Sequence, residues 1–190
     1  MDRRSERHQA TRSVILATAW SLTNEKGLTG WTLRELAAAV GMRAPSLYVY
    51  FPAKDHIYDA MFGESYRQLL DVIRATPLPD EPRDRLRAIA VMLSDFAGEN
   101  PARLQLMFWR VIPGFEPSPD AYAPSLQVMS LGQQAFAEIG ITNPAALDMW
   151  TALLTGLITQ QASNDPGGDR WLRLLDDAVD MFSSVYLLAR

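Results

Sequence analysis

The chain has 190 residues, nearly half of them apolar, which allows one or two globular domains with a hydrophobic core. It contains no cysteine, which excludes disulfide scaffolds, thiolate nucleophiles and cysteine-ligated zinc sites. No apolar run approaches membrane-spanning length and the charged N-terminus lacks a secretory signal, so we expect no membrane partner and a cytoplasmic location. The net charge of −4 is uneven, because residues 1–55 carry eight Lys and Arg against five Asp and Glu. This mildly basic part predicts contact with a polyanion, although so small an excess also arises by chance.

No segment alternates apolar and polar residues with a period of two, so the whole chain is predicted to be helical. Apolar residues at helical spacing predict a first helix over Thr11–Lys26. Thr32 and Glu35 form a capping-box pattern at the start of a second helix, which Gly41 stops. The other predicted helices are a short third one with Pro45 in its first turn that ends near Phe51, a fourth from about Lys54 to Ala75, and five more over Asp84–Gly98, Pro101 to about Val111, Ser125–Ile139, Ala145–Ser163 and Asp169 to about Leu188. Residues 113–124 are predicted to form a long loop.

A tight turn containing Gly41 joins the second and third predicted helices. This spacing is typical of a helix-turn-helix, whose second helix enters the major groove of DNA. The third helix is too short to fold alone, and Leu47 and Phe51 give it a side that packs on its neighbours. Its other side offers five residues to DNA, namely Ala44, Pro45, Ser46, Tyr48 and Tyr50. Tyrosine and serine hydroxyls suit phosphates, and small apolar groups suit thymine methyls.

The stretch from Gly30 to Phe62, GWTLRELAAAVGMRAPSLYVYFPAKDHIYDAMF, resembles the DNA-binding domain of TetR-family transcriptional regulators. The residues that carry the resemblance are Thr32, Ala37, Gly41, Leu47, Tyr48, Tyr50, Phe51 and Lys54. The resemblance implies an all-α protein with two domains. Residues 1–55 would form an N-terminal three-helix DNA-binding domain with the helix-turn-helix. Residues 56–190 would form a helical ligand-binding and dimerisation domain.

The resemblance also implies roles by position in the DNA complex. Thr32 and Arg34 would touch phosphate at the start of the second helix. Tyr50 and Lys54 would clamp the DNA backbone. The residues that would lie in the groove are Arg43, Ala44, Pro45, Ser46 and Tyr48. Such backbone contacts fix the register of the protein on the duplex, while base contacts set the sequence that it prefers.

One departure and several alternatives accompany these roles. The family usually places Ser, Thr or Lys around the start of the third helix, and we hypothesise that Arg43 of this chain reads a guanine edge instead. Tyr48 and Tyr50 also fit core aromatics, and Lys54 also fits a solvated lysine. A minor-groove arm would comprise Arg3, Arg4, Arg7 and Arg12, and Arg3–Arg7 also fit a disordered tail.

The acidic remainder of the chain is predicted to dimerise and to bind an effector. The resemblance implies a homodimer, and the two helices Ala145–Ser163 and Asp169 to Leu188 are long enough to pair with their copies in a four-helix bundle. Large apolar side chains of the body helices are candidates for a pocket that takes a small hydrophobic or aromatic effector. The six candidates are Met92, Phe96, Met107, Trp109, Met129 and Trp150. Each of them also fits an ordinary hydrophobic core.

Enzymatic activity is not expected. The chain has two histidines, no cluster with metal-ligand spacing, no glycine-rich phosphate loop and no serine-centred nucleophile motif, so no metal or cofactor is predicted. The function that fits is a ligand-responsive transcriptional regulator, by family default a repressor that a small hydrophobic effector releases from a near-palindromic operator. A helical module that binds a small molecule or a partner protein without binding DNA is the alternative.

Overall fold

The computed structural model describes residues 3–187, and within them all regular secondary structure is helical, so the prediction of an all-α chain is confirmed. The helices of this range are α1 (Arg3–Lys26), α2 (Leu33–Val40), α3 (Ala44–Leu47), α4 (Lys54–Ala75), α5 (Pro82–Gly98), α6 (Pro101–Phe108), α7 (Pro119–Glu138), α8 (Pro144–Asn164), a 3₁₀ helix (Leu172–Leu174) and α9 (Leu175–Tyr186). The predicted end of the last helix at about Leu188 lies outside the described residues, as do the first two residues of the predicted N-terminal domain.

The chain divides into two compact units. The first unit contains the residues up to Arg67 together with Ala102–Pro124. The second unit contains Gln68–Pro101 together with the residues from Ser125 onward. These units group residues by packing, whereas the predicted boundary between residues 55 and 56 divides the chain by function. The functional boundary stays a prediction.

In the first unit, two helix–helix contacts build the core that carries α3. α1 packs on α2, and α2 packs on α3. The indole Nε1 of Trp31 donates to Thr23 Oγ1 at 2.9 Å, and the Tyr58 hydroxyl donates to the Leu28 carbonyl at 2.5 Å. The fully buried apolar side chains of this core are Ile15, Ala19, Leu36, Leu47, Phe51, Ile57 and Met61. The four-residue α3 is therefore held by its neighbours rather than by its own hydrogen bonds.

The N-terminus of α7 also belongs to the first unit and lies earlier than predicted. Asp59 accepts hydrogen bonds from the Ser118 amide at 2.6 Å and from the Ser118 hydroxyl at 2.8 Å. The same hydroxyl oxygen accepts from the Ala121 amide at 3.2 Å, as a helix cap does. Pro119 follows in the first turn, where proline loses no hydrogen bond. The second half of the predicted loop 113–124 is therefore helical.

In the second unit, α5, α8 and α9 pack on one another. Three aromatic side chains meet here, and we name them the aromatic cluster: Phe136, Trp150 and Phe182. The ring centroids of Trp150 and Phe182 are 4.8 Å apart, and Phe136 lies 6.0 Å from Trp150 and 5.7 Å from Phe182. All three rings are buried. Arg85 is also buried, and it ties this unit together by donating to Glu138 and to the Pro79 carbonyl.

Three further helix boundaries differ from the predictions. α1 begins at Arg3, eight residues earlier than predicted, because residues 3–10 contain no glycine or proline and are mostly good helix formers. The segment that fitted a disordered tail is therefore helical. α6 ends at Phe108, before the predicted end. The last predicted helix is divided into Leu172–Leu174 and α9, since the Gln161 side chain accepts hydrogen bonds from the amides of Trp171 (2.8 Å) and the following residue and holds the chain in a turn.

Candidate DNA-binding surface

The second helix begins with the predicted capping box. The Glu35 amide donates to Thr32 Oγ1 at 3.2 Å, and the Thr32 amide donates to a Glu35 carboxylate oxygen at 2.8 Å. The Glu35 carboxylate also accepts a hydrogen bond from the Lys26 ammonium at 2.7 Å. The donors, Lys26 first and Thr32 next, lower the pKa of Glu35 to about 2. Thr32 and Arg34 are exposed at this end of α2, and their contact with phosphate stays a prediction.

The turn between α2 and α3 depends on Gly41. Its φ is +78°, in the left-handed region that side chains other than glycine rarely adopt. The Gly41 amide donates to the Ala38 carbonyl at 3.0 Å, and the Met42 amide donates to the Ala37 carbonyl at 2.9 Å. These bonds satisfy the last carbonyls of α2 in the pattern of a glycine C-cap. The prediction that Gly41 stops the second helix is confirmed, and the turn fixes the direction in which the chain leaves it.

The third helix is shorter than predicted. α3 spans Ala44–Leu47, and Pro45 lies in its first turn as predicted. Arg43 occupies the N-cap with an extended backbone and makes no side-chain cap hydrogen bond. Its side chain is exposed, and Ala44 is half-buried. The guanidinium of Arg43 is therefore available to a partner outside the chain, as the guanine-reading hypothesis requires.

Beyond Leu47 the chain continues as turns rather than as a helix. The amides of Tyr50 and Phe51 both donate to the Leu47 carbonyl, at 3.0 Å and 2.9 Å. Pro52 follows directly, and the residue before a proline is disfavoured in the helical conformation. The segment predicted to be helical up to Phe51 is therefore helical only to Leu47, and Pro52 disfavours a helical Phe51.

The side chains of α3 and this turn divide into a buried and an exposed side. Leu47 and Phe51 are fully buried, whereas Tyr48 is 49% and Val49 is 74% exposed. We name the exposed set the recognition surface, which comprises Arg43, Pro45, Ser46, Tyr48 and Val49. Val49 was not among the predicted DNA contacts. The spacing of the inward residues Leu47 and Phe51 is the sequence signal that identifies it, because the residue midway between two such positions faces away from them.

Tyr50 is placed differently from Tyr48, because α1 covers part of it. Its side chain is half-buried, and its ring stacks on the ring of His8 with centroids 4.8 Å apart and an interplanar angle of 28°. The Tyr50 carbonyl accepts a hydrogen bond from Arg12 Nη1 at 3.1 Å. The guanidinium of Arg12 also lies 4.1 Å above the Phe51 ring. The predicted contact of Tyr50 with the DNA backbone stays a prediction.

The ammonium group of Lys54 contacts the protein itself. Lys54 Nζ donates to the Trp31 carbonyl at 2.6 Å and to the Thr29 carbonyl at 3.4 Å. It lies 4.1 Å from the centroid of the Trp31 ring and 5.2 Å from that of Tyr58, within cation–π range. Burial lowers the pKa of Lys54. The lysine thus fastens the loop before α2 to the start of α4, and its predicted contact with the DNA backbone stays a prediction.

Two of the six predicted effector residues line one groove in the second unit. Met92 and Phe96 of α5 face this groove, whose volume is about 380 Å³. Its other lining residues are Val72, Thr76, Arg87, Ala88, Val91, Asp95 and Glu99. Most of the wall is therefore apolar, with charged groups contributed by α5. The Arg87 guanidinium is bound to Asp176 at 2.7 Å.

The other four predicted effector residues do not join this groove. Met107 is buried and Trp109 is partly exposed, and both belong to the first unit. Met129 is half exposed on α7 in the second unit. Trp150 lies in the aromatic cluster, where its ring is 2% exposed. Whether any of the six contacts an effector stays a prediction, but the structure does not gather them around one cavity wall.

Among residues 3–187, no group of three or more His, Asp or Glu side chains is placed to hold a metal ion. His8 contacts Tyr50, and His56 is exposed on α4. None of the helices in this range is long and apolar enough to cross a membrane.

Comparison with known proteins links the recognition surface to a family. Residues 15–61 match the model of a family described as bacterial regulatory proteins, tetR family. The HTH-type transcriptional regulator Rv1816 of Mycobacterium tuberculosis is 28% identical over 124 residues, which make up 64% of this chain and 53% of that protein. The chain thus spans about half the length of the curated relatives that it matches.

Solved structures share the fold over almost the whole chain. A protein described as regulatory, SCO4313, matches with a TM-score of 0.79 and 20% identity over 97% of this chain and 100% of that chain. FadR from Bacillus subtilis, solved in complex with stearoyl-CoA, matches with a TM-score of 0.71 and 14% identity over 90% of this chain and 97% of that chain. The family-model match contains α2, α3 and the whole recognition surface, and a family of regulatory proteins agrees with the expectation that the chain is not an enzyme. The comparisons thus bear out the resemblance of residues 15–61 to the TetR family of bacterial regulatory proteins.

Proposed function

We propose that the protein is a ligand-responsive, DNA-binding transcriptional regulator. The observation that carries the proposal is the recognition surface, where Tyr48 and Val49 remain exposed while Leu47 and Phe51 of the same short segment are fully buried. An exposed aromatic and an exposed valine on the second helix of a helix-turn-helix are suited to a duplex, which offers both phosphates and base edges. The excess of Lys and Arg in residues 1–55 favours the same partner.

Each side chain of the recognition surface has a partner in duplex DNA that suits its chemistry. Arg43 is suited to the O6 and N7 acceptors of a guanine. Pro45 and Val49 are suited to thymine methyl groups in the major groove. Hydroxyls of Ser46 and Tyr48 are suited to phosphate oxygens, which would fix the register of the protein on the duplex. The proposed operator therefore contains guanine and thymine at positions that α3 reads.

The proposed regulator is a homodimer formed through α8 and α9. Trp150 of α8 and Phe182 of α9 are buried within the protomer. The same helices leave Met149 of α8 and Met181 and Val185 of α9 more than half exposed. Pairing of these exposed side chains with a second copy would bury them and present two recognition surfaces, which suits a near-palindromic operator.

The proposed effector is a small hydrophobic or aromatic molecule, and the proposed default is a repressor that the effector releases from DNA. The mostly apolar groove beside Met92 and Phe96 supports such a ligand. FadR, which shares the fold, was solved with the long acyl chain of stearoyl-CoA. An effector that binds one of two protein conformations more tightly shifts the population toward it, and DNA affinity changes accordingly. The proposal includes a cytoplasmic location, where the chromosome is accessible.

The first experiment measures binding of the full chain to the duplex that lies upstream of its own gene. Affinity is determined at two salt concentrations, together with a random duplex of the same length. We expect tight binding to the upstream duplex that weakens steeply as salt rises, because Lys and Arg release counterions from the phosphates. The alternative function, a helical module that binds a small molecule or a protein, predicts no salt-dependent binding to either duplex.

Two tyrosine variants make this experiment specific. Tyr48→Ala removes the aromatic of the recognition surface and is expected to weaken binding to the upstream duplex strongly, because its hydroxyl no longer contacts a phosphate. Tyr122→Ala is the matched control, because Tyr122 is 46% exposed in the same unit and lies outside the helix-turn-helix. We expect Tyr122→Ala to bind DNA like the unmodified chain. Equal losses in the two variants would contradict a recognition role for Tyr48. If neither variant nor the unmodified chain prefers the upstream duplex, selection from genomic fragments decides whether a more distant operator exists.

A further inference from the structure

Two residues of α1 contact the end of the turn that follows α3. The imidazole of His8 stacks on the Tyr50 ring at 4.8 Å, and Arg12 Nη1 donates to the Tyr50 carbonyl at 3.1 Å. The Arg12 guanidinium also lies over the Phe51 ring at 4.1 Å. His8 and Arg12 are four residues apart on one helix, so both side chains lie on the same face of α1. That face therefore holds both the ring and the backbone of Tyr50.

This contact matters because Tyr50 lies outside regular structure. α3 ends at Leu47, and the Tyr50 amide is held only by a turn hydrogen bond to the Leu47 carbonyl. Tyr50 therefore lacks the regular helical hydrogen bonds and backbone that would fix the direction of its side chain. The stack on His8 restricts the rotation of the Tyr50 ring, and the bond from Arg12 restricts its carbonyl. Burial lowers the pKa of Arg12, as expected for a guanidinium that packs against the protein.

We propose that His8 and Arg12 are positioning residues for DNA binding. They hold the Tyr50 phenol in one orientation before the duplex arrives, so that binding does not have to order it. The gain arises from preorganisation, because a side chain that is already fixed loses less entropy when it meets a phosphate. The inference rests on the proposed DNA-binding function and adds to it a role for α1, which the helix-turn-helix motif does not include.

The test combines a double-mutant cycle with a variant that should restore the affinity. Affinity for a duplex selected by the full chain from a random library is measured for His8→Ala, Tyr50→Ala and the double variant. Stacked aromatic pairs typically contribute enough for His8→Ala to weaken binding about three- to tenfold. We expect no further loss from His8→Ala once Tyr50 is alanine, because His8 acts through Tyr50. His8→Phe should restore the affinity, since phenylalanine can stack in the same place.

The second histidine of the chain provides the matched control. His56 is exposed on α4, and His56→Ala is expected to leave the affinity unchanged. The salt dependence is measured in parallel, because a residue that itself contacts phosphate reduces the slope of log affinity against log salt when it is removed. We expect the same slope for His8→Ala as for the unmodified chain. Thermal unfolding of each variant reports whether the fold is retained.

Three results would overturn the inference. The first is an equal loss from His8→Ala with and without the Tyr50 side chain. The second is a reduced salt slope for His8→Ala that His8→Phe does not restore, which would make His8 a direct phosphate contact. The third is failure of the unmodified chain to retain any duplex from the library. That third result would remove the proposed DNA-binding function as well, whereas the first two would leave it intact.

Discussion

The recognition surface and the aromatic cluster both contain large apolar side chains, but these side chains are exposed to solvent in the first and buried in the second. Tyr48 and Val49 stay exposed beside two buried neighbours in the same turn. In the second unit, Phe136 and Phe182 enclose Trp150 so that 2% of it remains exposed. Tyr48 and Trp150 were both predicted from the sequence to touch a ligand. The difference between them is whether their own unit covers them.

Binding residues and core residues of a helical chain differ in the neighbours that they have within their own unit. A core aromatic has aromatic or aliphatic neighbours within its unit, and its loss leaves a cavity. An aromatic of a binding surface packs little within its unit, and its loss should leave the fold intact. Variants of the two surfaces should therefore change different quantities, the free energy of unfolding for the cluster and the DNA affinity for the recognition surface.

The largest expected effect is on stability, at Trp150. Trp150→Ala should lower the free energy of unfolding by about 3–5 kcal/mol, because the indole is buried between two other rings and a cavity replaces it. Urea titration followed by circular dichroism measures the change.

Trp150→Phe is the matched control for that change. The indole N–H of Trp150 is buried and has no hydrogen-bond partner within the described residues, so phenylalanine loses ring area but no hydrogen bond. We expect its cost to be less than half that of alanine. A Trp150→Ala variant that keeps its stability but loses affinity for an effector would place Trp150 with the binding surfaces instead.

The next largest effect is on specificity, at Arg43. Arg43→Ala should relax the preference for guanine at one base pair of a selected duplex, by about 1–3 kcal/mol. Binding to duplexes with each of the four base pairs at every position measures this preference. Arg34→Ala is the comparison, since Arg34 is exposed on α2 and is predicted to touch phosphate, so its loss should weaken all duplexes alike. Uniform weakening by Arg43→Ala would make Arg43 a phosphate contact.

The elements around the recognition surface could largely be predicted from the sequence, because local chemistry determines them. The capping box of Thr32 and Glu35, the left-handed Gly41 and the first-turn Pro45 each depend on residues within one turn of the chain. The end of α3 was the exception. The chain leaves the helix after Leu47, whose carbonyl accepts hydrogen bonds from the amides of Tyr50 and Phe51. The contact between His8 and Tyr50 was also missed, since residues so distant in sequence meet only through tertiary packing.

The second unit could be predicted less well, because long-range contacts decide which apolar residues are enclosed. Helical spacing identified Met92, Met129 and Trp150 as apolar members of helices. It did not distinguish the groove wall at Met92 from the exposed position of Met129 and the buried one of Trp150. In the first unit, the early start of α7 likewise depends on a long-range contact, the bond from Ser118 to Asp59.

A smaller effect is expected at Val49 and tests whether its exposure serves base recognition. In a selected duplex, each thymine is replaced in turn by uracil, which removes only the methyl group. We expect one replacement per half-site to weaken binding by roughly 1 kcal/mol, since one apolar contact is lost. Val49→Ala should reduce the cost of that same replacement and should leave the free energy of unfolding nearly unchanged. Equal costs for uracil in both proteins would show that Val49 does not contact a thymine methyl.

The smallest expected effect is on the pH dependence of stability, through Glu35 beside the recognition surface. The folded protein holds the pKa of Glu35 at about 2, below the ordinary value of 4.5, mainly through the hydrogen bond from Lys26. The folded state therefore binds this proton less readily than the unfolded state, and stability decreases as the pH falls from about 4.5 to 2. Glu35→Gln keeps an oxygen for the capping box but does not titrate, so its stability should change less across this interval. Urea midpoints of both proteins at several pH values measure the difference, which should be constant above pH 5 and shrink below it. If the urea midpoints of the two proteins change in parallel down to pH 2, the capping box does not depend on the charge of Glu35. The start of α2 would then be held by hydrogen-bond geometry alone.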